Sequence, residues 1–280
     1  MSSSMACLVC GTDAFQPHLE ILLRCPSCGF VTARTDGAID YRALYDGDYF
    51  KGAEYLDYAA DEAFFKKNFR RRLAEVRRHT PSGRLLEIGA AYGFFLDLAR
   101  EHFDVMGYEV NREGAAYARE RFGIDVRTTD FLEASESDIG GAVDVTVMWD
   151  VIEHLERPDA FIRRIAEFTR PGGTLHITTG DIGSTLARLR GRKWRMVHPP
   201  THLHYFDRQT LPQLLARCGF RTIQVRTVGV ARSFRQILYS ILALRLGSPG
   251  LYRIAHKCLP ATWGFTLDTR DIMYVTATRE

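Results

Sequence analysis

The stretch VHPPTHLHYF, Val197 to Phe206, packs His198, His202 and His204 into seven positions. A second concentration of reactive groups lies upstream in Asp150-Val-Ile-Glu153-His154, which on a helical turn brings two carboxylates and an imidazole to one face. In an extended segment His202 and His204 point to the same side, with Leu203 and Tyr205 on the other. Three chemistries fit these groups. In the first, His154 or a loop histidine is a general base for a substrate hydroxyl, because imidazole titrates near working pH. In the second, Asp150, Glu153 and His154, with a loop histidine, hold a divalent cation that lowers the hydroxyl's pKa. In the third, the rings bond to backbone and only shape a pocket. His198, followed by two prolines, is the least suited of the loop histidines to catalysis.

The cysteines concentrate elsewhere. Cys7-Leu-Val-Cys10 and Cys25-Pro-Ser-Cys28 are two knuckles, each followed by glycine, with 14 residues between them. This spacing predicts a tetrahedral thiolate site, with a hairpin bringing the pairs together. Four thiolates leave no open position on zinc, so the expected role of Cys7, Cys10, Cys25 and Cys28 is structural. Residues 1–38 then form a zinc ribbon too small to fold without its metal.

The 280 residues carry 37 Lys and Arg against 34 Asp and Glu, a net charge of +3, which argues against a protein built to clamp nucleic-acid phosphates. The amino-terminal residues lack a charged and then apolar leader, and no run reaches the roughly 18 apolar residues of a membrane-spanning helix. A cytoplasmic protein is expected, in which six cysteines are thiols or metal ligands rather than disulfides.

Positioning these groups requires a larger scaffold, and the middle of the chain supplies one. Arg84-Leu-Leu-Glu87-Ile reads as a buried strand running into Gly89-Ala90-Ala91-Tyr92-Gly93 and then a helix from Phe94. A second strand, Asp104 to Tyr108, ends in Glu109, twenty residues after Gly89, where folds of this type hold ribose hydroxyls. Further strands are expected at Ile124–Thr129, ending at Asp130 and Phe131, at Val143–Trp149, ending at Asp150, and at Gly173–Thr179 after an Arg170-Pro-Gly-Gly turn. Helical stretches alternate with them, so the fold class is α/β, a doubly wound, mostly parallel sheet with its ligand at the strands' carboxyl ends. Thr222–Arg226 and Asp271–Thr278 read as a closing strand pair.

LEIGAAYGFF, the acidic end of GYEV, TTDF and WDVIEHLERPD before RPGG resemble the successive motifs of class I S-adenosylmethionine-dependent methyltransferases, over residues 84–225. The resemblance implies a seven-stranded Rossmann-like sheet and S-adenosylmethionine as cofactor. It implies that Glu87 and Gly89 to Gly93, Ala90 and Tyr92 included, line the methionine part. Glu109 and Val110 then lie at the ribose, Asp130 and Phe131 at adenine, and Trp149 and Asp150 at the remaining wall. Ala91 stands where the family pattern often has a further glycine. The acceptor belongs over the fourth and fifth strands, beside Glu153, His154, His202 and His204.

The remaining segments are expected to cover this core, residues 81–280. A tyrosine-rich stretch, Tyr41 to Tyr58, and a helix with Phe64, Phe65, Phe69, Leu73 and Val76 at helical spacing make residues 39–80 a lid, the helix's arginines facing solvent. A helical insertion at about 230–262 is a second lid or a homodimer contact. The basic run Arg188 to Arg195 either binds an anionic, nucleotide-linked part of the acceptor or is a solvated loop.

Ribbon, tyrosine-rich segment and core in this order resemble bacterial sugar and natural-product methyltransferases, which are longer than this chain. The resemblance implies O-methylation of a small-molecule hydroxyl in a sugar, polysaccharide precursor or natural product. The close alternative is C-methylation of a keto sugar, with Glu153 and His154 serving an enolate. An RNA methyltransferase using the ribbon as a nucleic-acid platform is the alternative from another class.

Overall fold

The computed structural model describes residues 6–34, 58–239, 241–242, 246–248, 250–252, 259–260 and 263–280. In chain order the strands are β1 (Gln16–His18), β2 (Leu22–Arg24), β3 (Val31–Ala33), β4 (Gly83–Ile88), β5 (Phe103–Tyr108), β6 (Val126–Arg127), β7 (Val143–Trp149), β8 (Thr169–Gly180), β9 (His204–Tyr205), β10 (Phe220–Thr227), β11 (Val230–Ser233), β12 (Gly264–Leu267) and β13 (Ile272–Arg279). The α-helices are α1 (Glu62–His79), α2 (Phe94–Ala99), α3 (Arg112–Phe122), α4 (Glu136–Ile139), α5 (Pro158–Phe168), α6 (Thr185–Arg190), α7 (Thr210–Arg217) and α8 (Phe234–Tyr239).

Seven strands form the expected α/β sheet in the order β6-β5-β4-β7-β8-β13-β10. Pairing is parallel from β6 to β8, and β13 runs antiparallel to both of its neighbours. The chain steps outward from β4 to β5 and β6, then returns to the other side of β4 as β7. This reversal opens a crevice outside the carboxyl ends of β4 and β7.

Side chains alternate along each strand, so both sheet faces are apolar. Leu85, Val145 and Val147 join Phe69, Leu73, Val76, Phe94 and Phe95 under α1 and α2. Leu86 and Met148 join Ile162, Ile165, Leu211 and Leu215 on the other face. Two expected boundaries move. The third core strand shrinks from Ile124–Thr129 to Val126–Arg127. Arg170-Pro-Gly-Gly is not a turn before β8 but part of it, at the irregularity where the β7 register shifts between Val143 and Val145. Pro171 is exposed there, where a missing N–H costs no ladder bond.

The amino-terminal strands are not set apart from this core. The sheet β1-β2-β3 continues into β9, with Val31 opposite Tyr205 and Thr32 opposite His204. Cys7, Val9, Cys25 and Phe30 pack in the same apolar cluster as Phe206, Leu211 and Leu215. The basic run is likewise anchored: Trp194 is buried and its indole N–H donates to Asp271 at 2.7 Å, while Arg195 pairs with the same carboxylate.

Most of the tyrosine-rich segment lies outside the described residues. Its last member, Tyr58, stacks on Phe65 with ring centroids 4.0 Å apart and on Phe94 at 5.6 Å. Much of the insertion at 230–262 also lies outside them; its described ends are the β11-β12 pair and α8. Among the described residues, no helix is long and apolar enough to cross a membrane.

Thr32 is the polar tie between β3 and the loop carrying the histidines. Its buried hydroxyl lies 3.1 Å from both the Leu203 carbonyl and His204 Nδ1. Thr32→Val keeps the shape and strands His204 Nδ1 without a partner, so a loss of about 1–3 kcal/mol in unfolding free energy is expected. Urea denaturation followed by circular dichroism checks it, and an unchanged midpoint contradicts it.

Candidate active site

At the end of β4 the backbone must turn beneath the crevice, and Gly89 permits it. Its φ is +77°, and a Cβ there would lie 2.4 Å from Val151 Cγ2. Ala91 follows at φ +46°, with its N–H donating to Glu109 Oε2 at 2.7 Å. Glu109 Oε1 accepts from the Asn111 N–H at 2.8 Å, so two main-chain donors fix this carboxylate at the exit of β5. Asp130 caps the short turn after β6, accepting from the Leu132 N–H at 2.9 Å, and Phe131 packs edge-on against Tyr108.

These groups surround a cavity of about 400 Å³ whose wall includes Glu87, Gly89, Ala90, Glu109, Val110, Asp130, Phe131, Trp149, Asp150 and His154. The volume falls in the range of small-molecule and cofactor sites. Tyr92 and Gly93 are not on that wall. Tyr92 is buried behind the turn, its ring centroid 4.6 Å from that of Tyr117, and a Cβ on Gly93 would lie 2.7 Å from Ala118 Cβ. Both position the turn from behind.

Sequence reasoning missed Arg72. It sits on the buried face of α1 with Phe69, Leu73 and Val76, its guanidinium 5.1 Å from the Trp149 ring and donating to Asp150 Oδ2 at 3.1 Å. The signal was present: positions 69, 72, 73 and 76 share one helical stripe, and an arginine on an apolar stripe needs an anion. Phe69, Tyr108, Arg112, Arg157 and Phe161 also line the cavity.

Among the described residues, several buried polar atoms at this end have no hydrogen-bond partner: Glu87 Oε2, Trp149 Nε1, Asp150 Oδ1 and Glu153 Oε1. Burial and the neighbouring Glu109 hold the Glu87 carboxyl well above the usual carboxylate range, against the pull of Arg72. Burial and Asp150 push Glu153 up to about 8. Unsatisfied polar atoms around one cavity are the mark of a polar ligand's site.

The segment after β7 is a turn rather than the expected helix, and Asp150 has φ +57°. It brings Glu153, His154 and His202 together, with a carboxylate oxygen and two ring nitrogens all within 4.8 Å of one another. His154 lies on the cavity wall, while Glu153 and His202 lie behind it. His154 Nδ1 is 2.8 Å from the Thr201 carbonyl, and burial holds its pKa down to about 4. A carbonyl only accepts, so Nδ1 carries the proton and Nε2 the lone pair.

His204 departs from the expected constellation. Its Nδ1 meets the Thr32 hydroxyl and its Nε2 faces the Glu156 carbonyl at 3.3 Å, so both ring nitrogens are bound to structure. The expected alternation fails because β9 begins only at His204, and His202 lies in the irregular segment before it. His202 instead meets His154 at a ring-centroid distance of 4.6 Å and His198 at 3.8 Å.

The four knuckle cysteines converge independently. Their sulfurs lie within 4.8 Å of one another, with Cys7 to Cys28 at 3.6 Å and Cys10 to Cys25 at 3.5 Å. Gly11 and Gly29 adopt φ of +80° and +83°, closing each knuckle as the sequence predicts. Four soft donors at this separation suit a tetrahedral dication.

Residues 56–225 match the family model for a methyltransferase domain. The ubiquinone biosynthesis O-methyltransferase of Sinorhizobium fredii is 28% identical over 100 residues, covering 34% of this chain and 40% of that protein. The enzyme of the same name from Aeromonas salmonicida is 27% identical over 143 residues, covering 49% of this chain and 60% of that protein. The chain thus spans about half the length of these curated relatives. The magnesium protoporphyrin IX methyltransferase of Synechocystis PCC 6803, solved with bound S-adenosylmethionine, shares the fold at a TM-score of 0.53 and 13% identity, covering 88% of this chain and 100% of that one. With its glycine turn, acidic strand ends and switch-point crevice all inside the matched region, the chain belongs to the class I S-adenosylmethionine-dependent methyltransferases.

Proposed function

We propose that the protein transfers the methyl group of S-adenosylmethionine to a hydroxyl oxygen of a small molecule, a sugar, polysaccharide precursor or natural product. The observation that carries this reading is the single cavity running from Glu109 and Asp130 at one end to Asp150 and His154 at the other. The first end suits a nucleoside, with Glu109 placed for ribose hydroxyls and Phe131 for an adenine face. The second brings an imidazole lone pair to the wall where an acceptor would lie. The names of the curated relatives favour oxygen as the methylated atom.

When bound, the cofactor supplies an electrophilic methyl on a sulfonium. The chain's task is then to align the acceptor and to ease loss of its proton. The acceptor's O–H electron pair would become its bond to the transferred methyl, with the proton released at the His154 end of the cavity. Gly89 and Ala90 allow close approach of backbone to the methionine part, and Trp149 with Asp150, braced by Arg72, closes the wall beside it. Cys7, Cys10, Cys25 and Cys28 hold a structural zinc, and through β3 the ribbon braces the acceptor end rather than an RNA.

Incubation with isotopically labelled S-adenosylmethionine and a panel of hydroxylated acceptors tests the reading. Label on an acceptor oxygen, read by mass spectrometry, is expected; label on carbon or on RNA instead overturns it. Glu109→Ala removes the charged partner of the ribose and is expected to weaken S-adenosylhomocysteine binding by about 10- to 100-fold in calorimetry. His154→Gln is expected to lower kcat by about 10²- to 10⁴-fold while S-adenosylhomocysteine affinity stays unchanged, as single-turnover rates and calorimetry together would show.

A further inference from the structure

We propose that Glu153, His154 and His202 bind a divalent transition metal of the zinc class at the acceptor end of the cavity, with His202 as the loop histidine of the expected set and Asp150 outside it. The site stands on its own geometry; its part in methyl transfer rests on the function proposed above.

The carboxylate comes first. Glu153 is 2% exposed, its Oε2 accepts from the Thr179 hydroxyl at 2.9 Å, and its Oε1 is buried with no hydrogen-bond partner. A carboxylate oxygen buried in this way is costly unless a cation or donor meets it. A carboxylate oxygen of Glu153 and one ring nitrogen each of His154 and His202 lie within 4.8 Å of one another. His154 Nδ1 is tied to the Thr201 carbonyl at 2.8 Å, and His202 Nδ1 to the Met196 carbonyl at 2.9 Å. Each ring therefore carries its proton on Nδ1 and its lone pair on Nε2. Metal-ligating histidines are held in the same way, with the second nitrogen fixed by a backbone or carboxylate acceptor. His198 packs beside this pair, its ring tilted 41° against that of His202 at a centroid distance of 3.8 Å and its Nδ1 2.6 Å from the Thr201 hydroxyl.

Asp150 is not among the converging ligand atoms, and its Oδ2 is held by Arg72. Leaving that carboxylate out of the set changes the metal. Magnesium favours oxygen ligands and retained water, whereas two imidazoles and one carboxylate suit zinc and its neighbours. The ligand atoms, within 4.8 Å of one another, need only close to the roughly 3.4 Å spacing of a tetrahedral shell with bonds near 2.1 Å. His154 is on the cavity wall, so the set adjoins the space where the acceptor would lie. Three protein ligands and one open position form the catalytic pattern for zinc, and a hydroxyl ligating there loses its proton to solvent more readily.

The test is metal exchange of the full chain into cobalt by dialysis, followed by optical spectroscopy. Two equivalents per chain are expected. One shows the sulfur-to-metal charge transfer of the cysteine site, and the other only the weak ligand-field bands of nitrogen and oxygen donors. His202→Gln and Glu153→Gln are expected to weaken the second equivalent by at least about tenfold and leave the first. Asp150→Asn is expected to keep both, and millimolar magnesium to displace neither. A single, thiolate-type equivalent in the wild type overturns the proposal whatever the variants do. So does a second equivalent that survives His202→Gln or vanishes in Asp150→Asn. Calorimetry with S-adenosylhomocysteine on the same sample separates the two readings, since its failure counts against the methyltransferase reading and not against the metal.

Discussion

The main-chain carbonyl of Glu153 accepts from two main-chain donors, the N–H groups of Leu203 at 2.8 Å and His204 at 3.1 Å. The acceptor end of the cavity depends on this junction. Strand exits in a parallel sheet leave peptide groups that must find partners, and here a segment some fifty positions later supplies them. That segment pairs with β3 on its other side and receives the Ile182 N–H through Phe206. Three regions distant in sequence are thereby locked at one point, and the imidazoles of His154 and His202 take their orientation from carbonyls in the same loop.

Charge is the second constraint. Glu87, Glu109 and Asp150 line one cavity and Glu153 lies just behind it, each answered differently. Two main-chain N–H groups serve Glu109, and Arg72 serves Asp150. Among the described residues Glu87, Asp150 and Glu153 each keep a buried oxygen without a partner, and burial raises the carboxyls of Glu87 and Glu153. Such a wall favours a cationic ligand, and binding one lowers the cost of keeping the carboxylates ionised. The arrangement suits a sulfonium at the Glu87 side and a metal dication at the Glu153 side.

What the sequence disclosed follows from how local each feature is. The glycine turn, Glu109 and the paired knuckles are written in short spacings, and the structure assembles each from neighbouring residues. Alternating strands and helices foretold the sheet because buried parallel strands are continuous apolar runs. Asp150 at positive φ was not legible, since an aspartate there looks like the start of a helix. Nor was the division between His202 and His204, because the alternation rule holds only within a strand and β9 starts between them. Arg72 was hidden in a run of arginines whose average character is solvated, although its own position faces inward.

The two ends of the cavity are therefore built on different principles. The cofactor end comes from residues 87–131, consecutive strand exits whose geometry is set by φ values and short-range hydrogen bonds. The acceptor end is assembled from contacts spanning most of the chain, such as Thr32 with His204, 172 positions apart. A local unit tolerates change elsewhere, whereas a junction of distant segments responds to each of them. Sequence change in the amino-terminal strands or the histidine loop falls on the His154 end of the cavity and leaves the glycine turn intact. The continuation of the amino-terminal sheet into β9 ties the strands beside the four cysteines to the histidine loop, a coupling that a free-standing amino-terminal module would lack.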